Sequence, residues 1–370
     1  YGLVGSEMCI RDRNYYIPLM GMNLLFFGCQ NEILNIDVND EIIIPRTYLI
    51  PRADDSIEID GNEDDSSWKK ASFSEDFIDI EGEKIPNQKT RFKMLWDEEF
   101  LYIYAHLEEK HIWASLKNRD TVIFYNNDFE VFISPSNSNH NYGEIEINAL
   151  NTVWDLLLDR PYNTKGNPIF NWNIQGLKTA VHIEGTLNNP EDIDEYWSVE
   201  MAIPMNALTE LKRSQKGTPK IGEQWRINFS RVQWEHDLNG NRYYRKKEKG
   251  KYLSENNWVW SSQGASNMHM PEHWGYIEFS HSPKKNQPFI HNTEAQTEQV
   301  VYALFRNFAF GNYKHLGRGK PGKTLQIQLT GFEALKVKLL NTYAGFEIKV
   351  EDEIKGLVYS IDERGYLTRL

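Results

Sequence analysis

Apolar and polar residues alternate in short runs from about residue 52 to residue 280. In the 128–133 run, Phe129, Val131 and Ile133 share one side and the residues between them share the other, because side chains on a strand alternate between faces. Similar runs occupy 91–96, 101–107, 144–150, 197–203 and 225–234. Short strands separated by turn residues predict an all-β antiparallel sandwich over 52–282.

The pattern changes after the polar 282–286 segment. Apolar residues such as Val300 and Leu304 then fall three or four apart, which predicts a helix within 293–313. Short strands are predicted after it at 325–329, 345–350 and 358–361. The chain should therefore end in a small α+β region over 290–370, which is marginally stable unless it docks on the sandwich.

The amino-terminal residues are predicted to lie outside the folded domains. Residues 1–13 resemble a translated sequencing adapter and are excluded from the fold. The following 14–29 segment is uncharged, mostly apolar, and ends in Gly28 before Cys29, which resembles a lipoprotein-type signal acylated at Cys29. The alternative is an ordinary buried apolar segment. Residues 30–51 are predicted to be a linker.

Composition narrows the classes of ligand. The chain has 41 Lys and Arg against 53 Asp and Glu, a formal net charge of −12. This charge disfavours a nucleic-acid partner and suits a neutral ligand. The only two cysteines are Cys9 and Cys29, so the predicted folded body has neither a disulfide framework nor a cysteine metal site.

Catalytic motifs give one candidate pair. The sequence lacks a nucleophile elbow, a phosphate-binding loop, a dinucleotide fingerprint and a zinc-protease motif. Glu130 and Glu146 fall on the same side of neighbouring predicted strands, so a glycoside hydrolase with paired carboxylates is one hypothesis. The alternative is that both carboxylates are solvated on an open sheet face.

Several ordered segments together resemble carbohydrate-binding module family 9. They are IDG (59–61), LWDEEFLY (95–102), NDFEVFI (127–133), EIEINA (144–149), WRINFSRV (225–232) and PEHWG (271–275). The resemblance covers about 57–280 and excludes the 290–370 region. It implies an antiparallel sandwich that binds sugars and works beside polysaccharide-degrading enzymes.

The resemblance also implies site residues. Two tryptophans clamp a terminal sugar in the best-known members, and their positions fall here at Tyr125 and near Met268, beside His269. The sugar-binding glutamate of the family matches Glu130. A sugar-binding arginine of the family falls at Glu146.

One further strand supplies candidate polar groups. A sugar-binding glutamine of the family falls at Ser230, and Asn228, Ser230 and Trp234 share one strand face, so Trp234 is a candidate stacking platform. Other tryptophans near strand ends are candidates for stacking or for core packing: Trp154, Trp172 and Trp258. The predicted site combines Tyr125, Glu130, Glu146, Asn228, Ser230, Trp234, Met268 and His269.

A structural calcium ion is the cofactor that the resemblance implies. Asp60, Glu63 and Asp64 cluster in a predicted turn and offer the hard oxygen ligands that Ca²⁺ prefers. The alternative is a merely solvated acidic turn.

The sequence therefore predicts a non-catalytic protein that binds a neutral oligo- or polysaccharide. Its expected location is the cell envelope of a Gram-negative bacterium, held at the outer membrane through a lipid anchor only, with a polysaccharide-degrading enzyme as a possible partner. The alternatives are the glycoside hydrolase and a structural or interaction protein that docks through 290–370.

Overall fold

The computed structural model describes residues 33–212, 218–284 and 287–370. Residues 33–370 form one compact unit. The predictions for 1–13 and 14–29, with Cys29, lie outside the described residues. Within the described ranges, no helix has both the length and the apolar character needed to cross a membrane.

Strands make up most of the structure. In chain order the first are β1 (Ile33–Ile36), β2 (Thr47–Ile50), β3 (Ile78–Asp79), β4 (Thr90–Trp96), β5 (Phe100–Glu108), β6 (Asp128–Ser134), β7 (Tyr142–Asn148), β8 (Val153–Leu158), β9 (Pro168–Ile169), β10 (Lys178–Glu184), β11 (Tyr196–Pro204) and β12 (Gln224–Gln233). The rest are β13 (His236–Asn239), β14 (Arg242–Arg245), β15 (Lys247–Glu248), β16 (Lys251–Tyr252), β17 (Asn256–Val259), β18 (Gly275–Phe279), β19 (Thr324–Leu329), β20 (Leu335–Asn341), β21 (Phe346–Asp352), β22 (Leu357–Asp362) and β23 (Leu367–Arg369). The α-helices are α1 (Met205–Glu210) and α2 (Ala295–Ala309).

Two packed sheets form the predicted sandwich. The smaller sheet has the strand order β10-β11-β5-β4, and the larger runs β2-β18-β12-β6-β7-β8-β9, with β17 and β3 added beside β12. Phe129, Val131 and Ile133 of β6 are fully buried in the core between the sheets, as the alternation predicts. The β-sandwich prediction is therefore confirmed, including the β4–β5 hairpin.

The segment predicted as a linker instead carries two strands. β1 pairs in parallel with β19, and β2 pairs in parallel with β18 at the edge of the larger sheet. Ile36 and Ile50 at their ends are almost completely buried. These strands have only four residues each, and such short runs carry little periodic signal in a sequence.

The C-terminal region is the predicted α+β unit. Helix α2 packs on a six-stranded sheet of order β1-β19-β20-β21-β22-β23, and the two share an apolar core. The predicted helix is present, and β20 and β23 were not predicted. The region docks on the sandwich through a buried ion pair, Arg226 to Glu298 at 3.3 Å, and a partly buried one, Arg306 to Glu272 at 3.0 Å.

Candidate functional site

A pocket of about 300 Å³ opens on the face of the larger sheet that points away from the sandwich core. Strands β6, β7 and β8 form its floor, and the chain around residues 255–269 forms one wall. Its lining mixes acidic, amide and aromatic side chains, chiefly Glu130, Phe132, Glu144, Glu146, Trp154, Tyr162, Asn257, Asn267, Met268 and His269.

Acidic side chains cover the floor because strand alternation places them on one face. Glu130 of β6 lies directly opposite Glu146 of β7, and Phe132 lies opposite Glu144. Asp128, two residues before Glu130, shares this face. All four carboxylates are buried, with between 0% and 6% of each residue exposed. The expectation of an open, solvated face is therefore wrong for these residues.

Burial changes the protonation of this acidic cluster, which we define as Asp128, Glu130, Glu144 and Glu146. Burial raises the pKa of Glu130 to about 7. Burial and then the charge of Glu130 raise the pKa of both Asp128 and Glu144 well above the usual range. Burial also raises the pKa of Glu146, which accepts a 3.0 Å hydrogen bond from the backbone N–H of Phe124. A negative charge on one of these carboxylates disfavours ionisation of the others. The cluster therefore favours bound protons or a bound cation.

Two of the predicted residues form the wall beside the acidic cluster. Met268 and His269 both line the pocket, as do Glu130 and Glu146. A 2.9 Å hydrogen bond joins His269 Nδ1 to the hydroxyl of Tyr142. Burial lowers the pKa of His269 to about 4, so the imidazole is neutral at physiological pH.

Asn228 and Ser230 lie on the larger sheet without lining the pocket. Both are fully buried. The side-chain amide of Asn228 donates a 2.8 Å bond to the carbonyl of Ser261, and its oxygen accepts a 2.9 Å bond from the N–H of Ser261. Asn228 therefore holds two backbone segments together, and the expectation that it faces a ligand is wrong.

Tyr125 and Trp234 lie apart from the acidic pocket. Trp234 is only 5% exposed, and its Nε1 donates a 2.7 Å hydrogen bond to the carbonyl of Phe124. Tyr125 is 47% exposed and lines a neighbouring cleft of about 950 Å³. The Arg245 guanidinium lies 4.6 Å from the ring centroid of each. Trp234 is therefore packed rather than free to act as a platform, which corrects the prediction.

The turn predicted to hold calcium does not gather its carboxylates. Glu63 forms an ion pair with Lys93, and Asp60 accepts a 2.8 Å bond from the N–H of Asn62. Asp64 is exposed. Within the described ranges, the turn is not a group whose ligand atoms could meet on one ion. The residues present at 60–64 therefore do not fit the structural calcium that the resemblance implies.

The aromatic side chains of Trp154 and Tyr162 line the pocket, and Phe170 stacks on Trp154. Trp154 and Phe170 are stacked with their ring centroids 5.8 Å apart and an interplanar angle of 18°. Phe170 is 55% exposed, and Tyr162, whose ring lies 4.6 Å from that of His269, is 44% exposed. Exposed aromatic faces suit the apolar face of a sugar ring. Tyr162, Phe170, Asp128 and Glu144 were absent from the predicted site, although the alternation already placed the two acids beside Glu130 and Glu146.

Part of the sandwich is similar to known proteins. Residues 59–230 match the model of the family described as carbohydrate family 9 binding domain-like. Similar solved structures are a candidate carbohydrate-binding protein from Bacteroides uniformis ATCC 8492 (15% identity, TM-score 0.47, covering 64% of this chain and 99% of that one) and a family 9 module from Caldicellulosiruptor kristjanssonii. The latter, solved with cellotriose and with glucose, has 15% identity and a TM-score of 0.41 and covers 66% of this chain and 100% of its own. No curated protein matches the chain.

Residues 59–230 of the sandwich thus match a carbohydrate family 9 binding domain-like model, and the resemblance stated from the sequence is confirmed.

Proposed function

We propose that this protein binds carbohydrate without cleaving it, and that the sugar occupies the acidic pocket. The match of residues 59–230 to the family 9 model carries this proposal. The pocket adds the chemistry, because it combines aromatic faces with buried acceptors and amide groups. Its volume of about 300 Å³ lies at the small end of ligand pockets and suits one or two sugar units rather than a long segment.

The charge of the pocket favours a neutral sugar. Glu130, Glu144, Glu146 and Glu255 line the pocket, and no lysine or arginine is among its lining residues. A uronic acid or a sulfated sugar would add negative charge to a cluster whose own pKa values are already raised. Neutral hydroxyls can donate hydrogen bonds to carboxylates and accept them from protonated carboxyls.

The glycoside hydrolase is the competing hypothesis, since Glu130 and Glu146 are directly paired. Hydrolysis requires one carboxyl group that is protonated and one that is ionised. Here burial raises the pKa of both Glu130 and Glu146. These pKa directions do not separate the two hypotheses, and the match of residues 59–230 to a binding-domain family supports binding over hydrolysis.

We further propose that the protein is anchored at the cell envelope of a Gram-negative bacterium through a lipid on Cys29, and that it supports a polysaccharide-degrading enzyme there. The uncharged, apolar 14–29 segment that ends in Gly28-Cys29 supports the anchor. The native protein should partition into detergent, and Cys29→Ser should move it to the aqueous phase. Equal partitioning of both forms would contradict the anchor.

A glycan array with parallel measurement of released reducing sugar tests the function. The purified protein should bind neutral glycans and release no reducing sugar. Turnover would favour the hydrolase, and silence in both measurements would favour a structural or interaction protein. Tyr162→Ala and Phe170→Ala should each weaken binding, whereas Tyr343→Ala, which removes a 98% exposed tyrosine in the C-terminal region, should not.

The expected loss follows from the stacking area. Removing one aromatic ring that a bound sugar covers should cost about 1–3 kcal/mol, which is roughly tenfold to a hundredfold in affinity. Normal binding by both pocket variants would place the sugar elsewhere on the domain.

A further inference from the structure

Three acidic side chains of β6 and β7 converge on one point, and two of them, Glu130 and Glu146, line the pocket. Asp128, Glu130 and Glu146 each offer a carboxylate oxygen, and these oxygens all lie within 4.8 Å of one another. All three residues are buried. Within the described ranges, no lysine or arginine forms an ion pair with any of them. The described residues therefore gather negative charge in a buried place without supplying a cation.

Unsatisfied polar atoms surround the same point. Both carboxylate oxygens of Asp128 are buried and make no hydrogen bond with the described residues. The hydroxyl of Ser230 on β12 is likewise buried and faces Glu130, without a hydrogen bond of normal geometry to any described residue. Ser230 lies directly opposite Glu130 across β12 and β6, so its side chain projects from the same sheet face. Buried polar atoms without partners are rare in folded proteins, and each requires an explanation.

We propose that Asp128, Glu130 and Glu146 bind a divalent cation where Glu130 and Glu146 line the pocket and Asp128 lies buried beside them. Three carboxylates provide hard oxygen ligands and enough negative charge for Ca²⁺, which accepts irregular coordination more readily than Mg²⁺. The cation would neutralise the repulsion between the carboxylates and give the unpaired Asp128 oxygens a partner. The open side of the pocket admits water to the remaining coordination positions.

This site differs from the acidic turn at 60–64. The turn is the place where the family resemblance would put calcium, and its carboxylates are divided between Lys93 and backbone partners. The pocket floor has the convergent carboxylates instead. The two locations can be separated by mutation, because Asp64 is exposed and lies outside the pocket.

Calorimetry and thermal unfolding of the full chain without any sugar test the proposal. After treatment with EDTA, Ca²⁺ should bind at one site and raise the midpoint of unfolding, and Mg²⁺ should do so more weakly. Glu130→Gln and Glu146→Gln should each weaken Ca²⁺ binding by roughly 10–100-fold or more. Asp64→Asn is the matched control and should bind Ca²⁺ as the parent protein does.

A protein without this cation site should give different results. If these carboxylates bind no cation, Glu130→Gln should stabilise the protein because it removes repulsion between carboxylates. Neither the parent protein nor the variant should then respond to Ca²⁺ or EDTA. That outcome, or loss of Ca²⁺ binding in Asp64→Asn, would overturn the proposal. Because no sugar is present, failure here leaves the carbohydrate-binding proposal untouched.

The luminescence of bound Tb³⁺ provides a second measurement, which reports where the ion binds. Trp154 lies directly opposite Glu146 across β7 and β8 and lines the same pocket. Tb³⁺ bound at the floor should show luminescence on tryptophan excitation, and Ca²⁺ should displace it. Trp154→Phe should dim this signal while calorimetric Ca²⁺ affinity stays within about twofold. An undiminished signal in Trp154→Phe would place the ion elsewhere.

Discussion

The indole Nε1 of Trp68 donates a 2.9 Å hydrogen bond to Oε1 of Glu200, and both side chains are fully buried beneath the smaller sheet. The other oxygen of Glu200 accepts 2.9 Å bonds from the backbone N–H groups of Asp60 and Gly61. One carboxylate on β11 therefore fixes the turn that opens the domain.

Glu200→Gln should destabilise the protein although it conserves shape. Three N–H donors face the two oxygens of Glu200, and a glutamine would turn its own amide donor toward at least one of them. A buried donor left without an acceptor costs about 1–3 kcal/mol. Chemical denaturation should show this loss. Glu195→Gln, at the exposed residue before β11, should change the free energy of unfolding by less than about 0.5 kcal/mol.

Trp234→Ala should cost more stability than Tyr125→Ala, because Trp234 is buried and Tyr125 is half exposed. Trp234 is buried among Trp113, Val232 and Tyr243, so its truncation should cost about 3–5 kcal/mol of stability. Tyr125 is half exposed, and its truncation should cost less than about 1 kcal/mol. Thermal unfolding of both variants measures the difference. Equal losses would mean that Trp234 is not packed as described.

His273 should contribute to acid sensitivity. Burial lowers the pKa of His273 to about 4, and its Nδ1 lies 2.7 Å from the carbonyl oxygen of Gln263. Because the unfolded chain takes up a proton near pH 6.5 and the folded chain does not, His273 destabilises the fold as the pH falls from about 6.5 to about 4.

His273→Gln isolates this effect, since glutamine can still donate to Gln263 and does not titrate. The parent protein should lose up to about 3 kcal/mol more than the variant between pH 7 and pH 4. Denaturant unfolding at both pH values provides the comparison. Parallel pH profiles for the two proteins would show that His273 keeps an ordinary pKa in the fold.

Glu298→Ala should weaken the docking of the C-terminal region. Glu298 is buried and accepts 3.3 Å hydrogen bonds from Arg226 and from the hydroxyl of Tyr276. Its removal leaves the buried Arg226 without a carboxylate partner, which should cost about 3–5 kcal/mol. Glu351→Ala removes a surface pair with Lys349 and should cost less than about 1 kcal/mol. Limited proteolysis should release the C-terminal region from the first variant only.

Strand alternation predicts the sandwich well because it records which side chains reach the core. Phe129 and Ile145 both lie in the core as predicted. The same alternation places Glu130 and Glu146 on the opposite face, but it cannot show that the chain around 255–269 covers that face. That covering is a tertiary contact between segments far apart in sequence, and it turns solvated acids into buried ones.

The different environments of the tryptophans also result from tertiary contacts between segments far apart in sequence. Trp154 and Trp234 occupy similar positions near strand ends in the sequence, yet Trp154 lines the pocket and Trp234 packs beneath Phe124 and Arg245. The difference is set by the β13–β14 hairpin, whose Arg245 lies over Trp234. A periodic pattern in the sequence does not indicate where such a hairpin packs.

Strand β1 has a consequence for the order of events during biosynthesis. Its first residue, Ile33, pairs with Gln326, so the first strand of the described residues must wait for a strand that is synthesised almost 300 residues later. Until then the apolar residues of β1 and α2 lack part of their shared core. Contacts between such distant segments form slowly, and unpaired edges are prone to aggregate. Chaperone protection of the nascent chain should therefore matter until the final strands have been synthesised.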